Sequence, residues 1–296
     1  MSGGTEALTA LLKVNLTLHA GRVRPDGYHP VGSICLFAAA GDRLSLGGRA
    51  DDFRLEVTGP EAAGLAGLPP EANLAMRAAR LLAAATPVAP RAIRLDKRVP
   101  PAGGVAGGTA DAAATLVLLN RAAARPLPDA ALIALSRRLG ADGPVCTAAR
   151  LAGGGLWLAE GDGDRVRRLG AAPPVWIVLV NPRLAVSTGA VFARFDEAPA
   201  PGPLSQPSGD LRRASGLVAA GREGRNDLRA PAVTLAPVIG AVEAFVANGP
   251  GCRFARMSGS GATVFGLFAG GEAAARAARR AEARGWWAAV APLAQG

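Results

Sequence analysis

Lys13 and Asn15 stand two residues apart in the run ALLKVNLTLH (10–19), so an extended backbone turns both side chains to one face. One polar face thus carries an ammonium and an amide; a lysine on an exposed edge strand is the structural reading. Only Lys13 and Lys97 among the 33 basic residues are lysines. A chain that uses arginine wherever any cation serves keeps a lysine where a compact ammonium is needed. The second group is PPAGGVAGGTADAA (100–113), four glycines and a threonine ahead of a helical pattern. Gly103, Gly104, Gly107 and Gly108 remove the Cβ atoms that keep a ligand from the backbone, and successive N–H groups turned inward at a helix N-terminus make an anion site. Thr109 supplies a hydroxyl that caps the helix or helps hold a metal, and Asp111 suits the helix dipole or a nearby cation. The loop is neither a Walker loop, since no lysine follows its last glycine, nor a dinucleotide fingerprint. With 39 glycines in 296 residues, this stretch alone reads equally as compositional bias. Two further segments carry isolated polar groups among small residues: LGADGPVC (139–146) with Asp142, a turn cap or a carboxylate offered to a hydroxyl, and MSGSGATVF (257–265), a glycine turn flanked by Ser258 and Ser260.

Elements must position these groups. Alternating Leu12, Val14, Leu16 and Leu18 predict one half-buried strand over 10–19, followed by the Pro-Asp-Gly turn of 22–30. Strands are expected at 31–40, 42–48, 52–59 and 92–99, the last running into the glycine loop. Helices are expected at 73–85 with Asn73 as cap, from Thr109 to 124, and at 129–140 ending on Gly140. A hairpin follows at 153–170, then a buried strand at 173–182, a short helix at 187–195 capped by Ser187, and a Pro-rich loop at 196–210. Helical stretches at 211–220 and 232–247, a strand–turn–strand at 252–268, a helix at 272–284 and a final strand complete the chain. The mixture predicts an α+β class, with mixed sheets and helices in two halves, 1–170 and 171–296.

Composition narrows the function. Half the residues are hydrophobic but only 4% are aromatic, so Ala, Val and Leu must build the core. No apolar run is long enough to span a bilayer, and the N-terminus lacks a basic start and carries Glu6, against a secretory signal. Cys35, Cys146 and Cys252 are odd in number and widely spaced, as in a reduced cytoplasmic protein without a zinc site. The net charge of +10 raises nucleic acid as a partner, but the arginines are scattered and stacking aromatics are few. A solvated surface or an anionic small molecule accounts for the charge better.

The order Lys-x-Asn strand, P-x-A-G-G-x-x-G-G-T-x-D-A loop and S-G-S-G turn resembles the three motifs of the GHMP kinase superfamily. LKVNLTLHAGRVRPDGYHPV, GGTADAAATLVLLN, LGADGPVC, VSTGAVF and RMSGSGATVF, spanning 12–265, are most similar to the branch that phosphorylates the 2-hydroxyl of a CDP-linked methylerythritol on the route to isoprenoid precursors. The resemblance implies a two-domain fold with the active site between the domains, ATP and Mg2+ as cofactors, and two small-molecule partners, ATP and the CDP-linked alcohol. Neither nucleic acid nor membrane is expected, and the chain is expected to be cytoplasmic and a monomer or weak homodimer. It implies Lys13 and Asp142 as catalytic groups: Asp142 accepts the hydroxyl proton while Lys13 steadies developing charge. Asn15, Thr188, Ser258, Gly259 and Ser260 would line the acceptor, Tyr28 and Phe192 would sandwich cytosine, and His29 would read its edge. Pro101, Ala102, Gly103, Gly104, Val105, Ala106, Gly107, Gly108 and Thr109 would wrap the ATP phosphates, with Thr109 near Mg2+; no metal ligand set is implied. Three positions depart from the pattern: Thr109-Ala110 in place of two adjacent hydroxyls, Gly143 in place of a β-branched residue, and Leu12 in place of alanine. A superfamily kinase of mevalonate or homoserine type, or a non-catalytic nucleotide binder on this fold, are the alternatives.

Overall fold

The computed structural model describes residues 6–101, 103–197 and 202–296; Ala102, expected in the phosphate loop, lies outside them. The first half runs β1 (Ala7–Thr9), β2 (Leu12–Asn15), β3 (His19–Ala20), β4 (Val31–Ala38), β5 (Arg43–Arg49), β6 (Arg54–Thr58), α1 (Leu74–Ala83) and β7 (Arg91–Asp96). It continues through α2 (Gly107–Ala122), α3 (Asp129–Ser136), α4 (Gly143–Ala152), β8 (Leu156–Gly161) and β9 (Arg165–Gly170). The second half contains β10 (Trp176–Asn181), α5 (Thr188–Asp196), α6 (Ala214–Glu223), α7 (Arg229–Leu235), α8 (Val238–Ala247), β11 (Cys252–Met257), β12 (Val264–Phe268), α9 (Gly271–Glu282) and β13 (Trp287–Pro292).

Among the described residues the strands form three sheets, ordered β1-β5-β7-β6, β2-β4-β8-β9 with β3 also paired to β4, and β11-β12-β10-β13. Only β6–β7 is a parallel pair within them. The second and third sheets share one core, in which Leu12, Leu16 and Leu36 meet Ile177, Leu179 and Phe265. Strand β2, which carries Lys13 and Asn15, is buried at every position, with Leu12 and Val14 turned into that core. The ends of the chain reinforce the union, since Ala294 N–H donates to the Phe37 carbonyl at 2.8 Å. Helix α2 is buried continuously from Ala110 to Asn120. A helix enclosed on every side needs small residues for close approach, which explains its alanines.

Several expectations hold: Asn73 caps α1 by accepting from Ala75 N–H at 2.9 Å, and Ser187 caps α5 by accepting from Ala190 N–H at 3.3 Å. Others are corrected. The single strand over 10–19 divides after Asn15 because the Thr17 hydroxyl, not a backbone carbonyl, accepts from Ile34 N–H at 3.0 Å. There the chain turns to the second half, where Leu18 N–H donates to the Arg225 carbonyl at 2.8 Å. The expected helix over 232–247 is two helices, α7 and α8, separated at Pro237 as proline's missing N–H requires. Helix α4, unassigned from the sequence, follows Asp142 directly. Helix α2 begins at Gly107, with Ala106 in the cap position at φ 52°, so Thr109 lies inside the first turn and is not the cap. No helix among the described residues is long and apolar enough to cross a membrane.

Candidate active site

Two glycine turns from opposite halves interlock. Gly104 sits at φ +77°, and a Cβ there would stand 2.3 Å from the Gly261 carbonyl oxygen. Gly259, at φ +57°, has the Gly104 carbonyl 3.2 Å from its own missing Cβ. Thr263 N–H donates to the Gly103 carbonyl at 3.1 Å. Buried Val105 anchors the loop in the shared core. From Gly107 the loop enters α2, whose first-turn N–H groups have no intrahelical partner and carry the positive end of the dipole. Loop and turn are therefore one surface of open backbone donors suited to phosphate.

The polar face of β2 meets that surface. Asn15 N–H donates to Ser258 Oγ at 3.2 Å, and Asn15 Nδ2 donates to Ser33 Oγ at 2.8 Å. Lys13 is 4% exposed, so although β2 ends its sheet, the reading of a solvent-exposed lysine fails. Its Nζ donates to Asn15 Oδ1 at 3.1 Å and to Asp142 Oδ1 at 2.9 Å. Burial pushes the Lys13 ammonium down, but the Asp142 carboxylate, with Cys35 and Cys146 nearby, outweighs burial and leaves it above the ordinary lysine value. Asp142 occupies the N-cap position of α4 without capping it, so its carboxylate remains available to Lys13 and, 41% exposed, to the cleft. The departure at Gly143 has a steric cause: a Cβ there would stand 2.1 Å from the Ser136 carbonyl, so the helix start is seated on backbone.

The polar rim of this surface continues along α5. Thr188 Oγ1 lies 2.9 Å from Ser260 Oγ, and Phe192 follows one turn later, about 6 Å along the axis. Phe192 stacks on His29 at 4.5 Å between centroids, and His29 Nε2 is 2.8 Å from Asp196 Oδ1. Tyr28, 60% exposed, stands outside this stack. The structure thus brings Phe192 and His29 together and not Tyr28 and Phe192. Tyr28 is carried by a turn tied to the β8–β9 connection through Arg24, which reaches Asp162 at 2.8 Å.

Beside the glycine loop lies a cavity of about 290 Å³, lined by Leu55, Val57, Leu65, Leu68, Lys97 and Asp111 among others. Its charged floor was only partly foreseen. Lys97 Nζ donates to Asp42 Oδ2 at 2.5 Å and Asp111 Oδ2 at 3.0 Å, so Asp111 does serve a cation. Asp42 is fully buried and accepts Val99 N–H at 2.9 Å as well. Asp111 Oδ1 has no partner. Burial pushes the Asp111 carboxyl up to about 7, against the pull of Lys97 and with a push from Asp42. The folded chain therefore holds this proton where the unfolded chain, at 3.8, has lost it. Stability declines as pH rises between those values and is level above them. Asp111→Asn leaves Lys97 paired with Asp42 and removes that decline. The melting temperature of the variant relative to wild type is expected to be higher at about pH 8 than at about pH 5; an unchanged difference contradicts the shift.

Asn226 was not anticipated. Its Nδ2 donates to the Met257 and Gly259 carbonyls, both at 2.9 Å, while its Oδ1 accepts from Leu228 N–H at 3.0 Å. One side chain thus holds the second glycine turn and the start of α7. Only its place in RNDL, a polar pair between helical patterns, hinted at this.

Comparison with known proteins follows the same surface. The GHMP kinases N terminal domain family matches residues 73–150 and the GHMP kinases C terminal family matches 216–285. Over 291 residues the chain is 45% identical to a 4-diphosphocytidyl-2-C-methyl-D-erythritol kinase of Cereibacter sphaeroides, covering 96% of this chain and 97% of that one. A protein of the same name from Paramagnetospirillum magneticum is 44% identical over 97% and 98% of the two chains. A crystal structure of 4-(cytidine 5'-diphospho)-2C-methyl-D-erythritol kinase superposes with a TM-score of 0.76 at 32% identity, covering 98% of this chain and all of that one. A homoserine kinase from Cytophaga hutchinsonii, 16% identical with a TM-score of 0.64 over 98% of both chains, shares the fold.

Proposed function

Because the chain belongs to the GHMP kinase family, we propose that it moves the γ-phosphoryl group of ATP to the 2-hydroxyl of 4-diphosphocytidyl-2-C-methyl-D-erythritol. The observation that carries this reading is the junction of the two glycine turns with Lys13, Asn15 and Asp142, which puts phosphate donors and a base on one surface.

The roles follow from charge. Lys13 is held above the ordinary lysine value, so it is an ammonium throughout the neutral range and cannot take a proton. Asp142 is left as the base: the acceptor hydroxyl gives its proton to the carboxylate as its oxygen bonds to the phosphorus and the bond to ADP breaks. Lys13 steadies the charge on the entering oxygen, and Asn15, held from both sides, orients Lys13. Positioning and preorganised charge supply most of the rate, as in phosphoryl transfer generally. The phosphates of ATP lie on Gly103–Thr109, with the adenosine in the neighbouring cavity. Thr188, Ser258, Gly259 and Ser260 line the acceptor, and Tyr28, His29 and Phe192 receive the cytosine. The boundary 170/171 leaves the phosphate loop in one half and the Ser-Gly-Ser turn in the other.

Mg2+ fits this donor set. A magnesium ion takes its oxygens mainly from nucleotide and water, with a hard hydroxyl or carboxylate oxygen from the protein. Thr109, in the first turn of α2, would complement that shell. When bound, the ion neutralises phosphate charge.

The test is a panel of alcohols with ATP. kcat/KM for the cytidine compound is expected to exceed that for mevalonate and homoserine by at least ~10³-fold. Comparable use of either small alcohol contradicts the assignment.

A further inference from the structure

Outside the groups just described, an ion pair joins the two halves near the start of the glycine loop. Arg183 Nη2 reaches Glu61 Oε1 at 3.0 Å and its Nη1 reaches Oε2 at 3.2 Å, a bidentate arrangement. We propose that Arg183 and Glu61 form a latch that positions the wall of the nucleotide cavity and so sets the affinity for the adenine nucleotide. The proposal rests on the kinase reading of that cavity.

Both ends of the latch are anchored. Glu61 is 13% exposed at its side chain, and its N–H donates to the Lys97 carbonyl at 3.0 Å. The turn after it carries Leu65 into the cavity lining. Gly64 sits close to the start of the phosphate loop, for a Cβ there would stand 2.8 Å from Pro101 Cγ. A shift of Glu61 is therefore a shift of Leu65 and of the contact with Pro101. On the other side, Arg183 has φ 59°, a left-handed backbone that is costly for a side chain of this size. Asn181 enforces that conformation, accepting Arg183 N–H on Oδ1 at 2.7 Å while its Nδ2 donates to Thr263 Oγ1 at 2.9 Å. Thr263 in turn holds Gly103. The chain from β10 through Asn181 to Arg183 thus grips the loop from within and the cavity wall from outside. Such strain is kept where the direction of a side chain matters. Arg183 itself is 52% exposed, so the latch is open to salt and is not part of the rigid core.

Arg183 is a positioning residue, and its test separates binding from chemistry. Titration calorimetry with the non-hydrolysable analogue AMP-PNP needs neither acceptor nor turnover, so it reports on the latch even if the acceptor assignment fails. Arg183→Ala and Glu61→Gln are each expected to raise Kd by ~2–5-fold, the range of a partly exposed ion pair. The exchange Glu61→Arg/Arg183→Glu is expected to recover at least half of that loss. In turnover assays KM for ATP should rise in parallel, while KM for the acceptor moves less than about twofold. Raising NaCl should weaken AMP-PNP binding more in wild type than in Arg183→Ala. An unchanged Kd in both single variants, or an exchange variant no better than the singles, overturns the latch.

Discussion

Asp142→Asn is expected to lower kcat by ~10²–10⁴-fold, the range of a positioned general base, with KM for ATP little changed. Asparagine keeps an oxygen for Lys13 Nζ, now 2.9 Å from Asp142 Oδ1, so the fold is retained, while the buried ammonium left without its counter-charge lowers the melting temperature. Lys13→Ala removes the ammonium, and its loss should be of similar size. Because both groups act on one hydroxyl, the double variant should be scarcely worse than either single one. The pH behaviour is a further readout. In wild type the Asp142 carboxylate outweighs the burial that would lower the Lys13 ammonium. Without that carboxylate, burial dominates and Lys13 must lose its proton at lower pH. The alkaline limb of residual activity should therefore move down in Asp142→Asn. Independent, multiplicative losses in the double variant would show that the two side chains do not serve one step.

Gly104→Ala carries the second large effect, on the nucleotide side. A side chain at φ +77° costs ~1–2 kcal/mol from the backbone alone. Its Cβ would also stand 2.3 Å from the Gly261 oxygen and 3.1 Å from that of Ser258, so the two turns must part. KM for ATP is expected to rise by at least ~10-fold, since 1.4 kcal/mol is a factor of ten, and the protein should melt several degrees lower. Gly285→Ala is the control: its φ is +76° but nothing lies within 4 Å of the added Cβ. It should lower the melting temperature through strain alone and leave KM for ATP unchanged. If both substitutions move only the melting temperature, the interlocked turns are structural and the phosphate site lies elsewhere.

Much of this site was legible before any coordinates. Strict alternation placed Lys13 and Asn15 on one face, and the scarcity of lysine marked Lys13 and Lys97 as selected. Glycines in unusual density marked the loop, and family resemblance joined it to the Ser-Gly-Ser turn. What stayed hidden depends on pairing at long range. Asp42 and Asn226 lie in ordinary turns, and only the fold brings Asp42 to Lys97 or Asn226 to the Met257 carbonyl. Glu61 and Arg183 are unremarkable charges until two halves of the chain set them face to face. The break after Asn15 escaped because a hydroxyl took a backbone partner, which alternation of hydrophobicity does not register. The need for glycine at 143 was hidden too: it is set by the Ser136 carbonyl, seven residues earlier in sequence and in contact only after α3 and α4 fold together. The aromatic arrangement at Tyr28, His29 and Phe192 depends on where a surface turn and α5 come to rest, which residue types alone do not specify.

The central claim is that Lys13 and Asp142 direct the γ-phosphoryl group of ATP to one hydroxyl of a cytidine-linked alcohol. The most direct measurement is 31P NMR of the products after incubating the purified chain with ATP, Mg2+ and 4-diphosphocytidyl-2-C-methyl-D-erythritol. The account predicts a new phosphomonoester on the 2-oxygen, with ADP formed in equal amount and the diphosphate bridge intact, and no such product from Asp142→Asn over the same time. Release of inorganic phosphate without the monoester, or an ester equally abundant with Asp142→Asn, would contradict it.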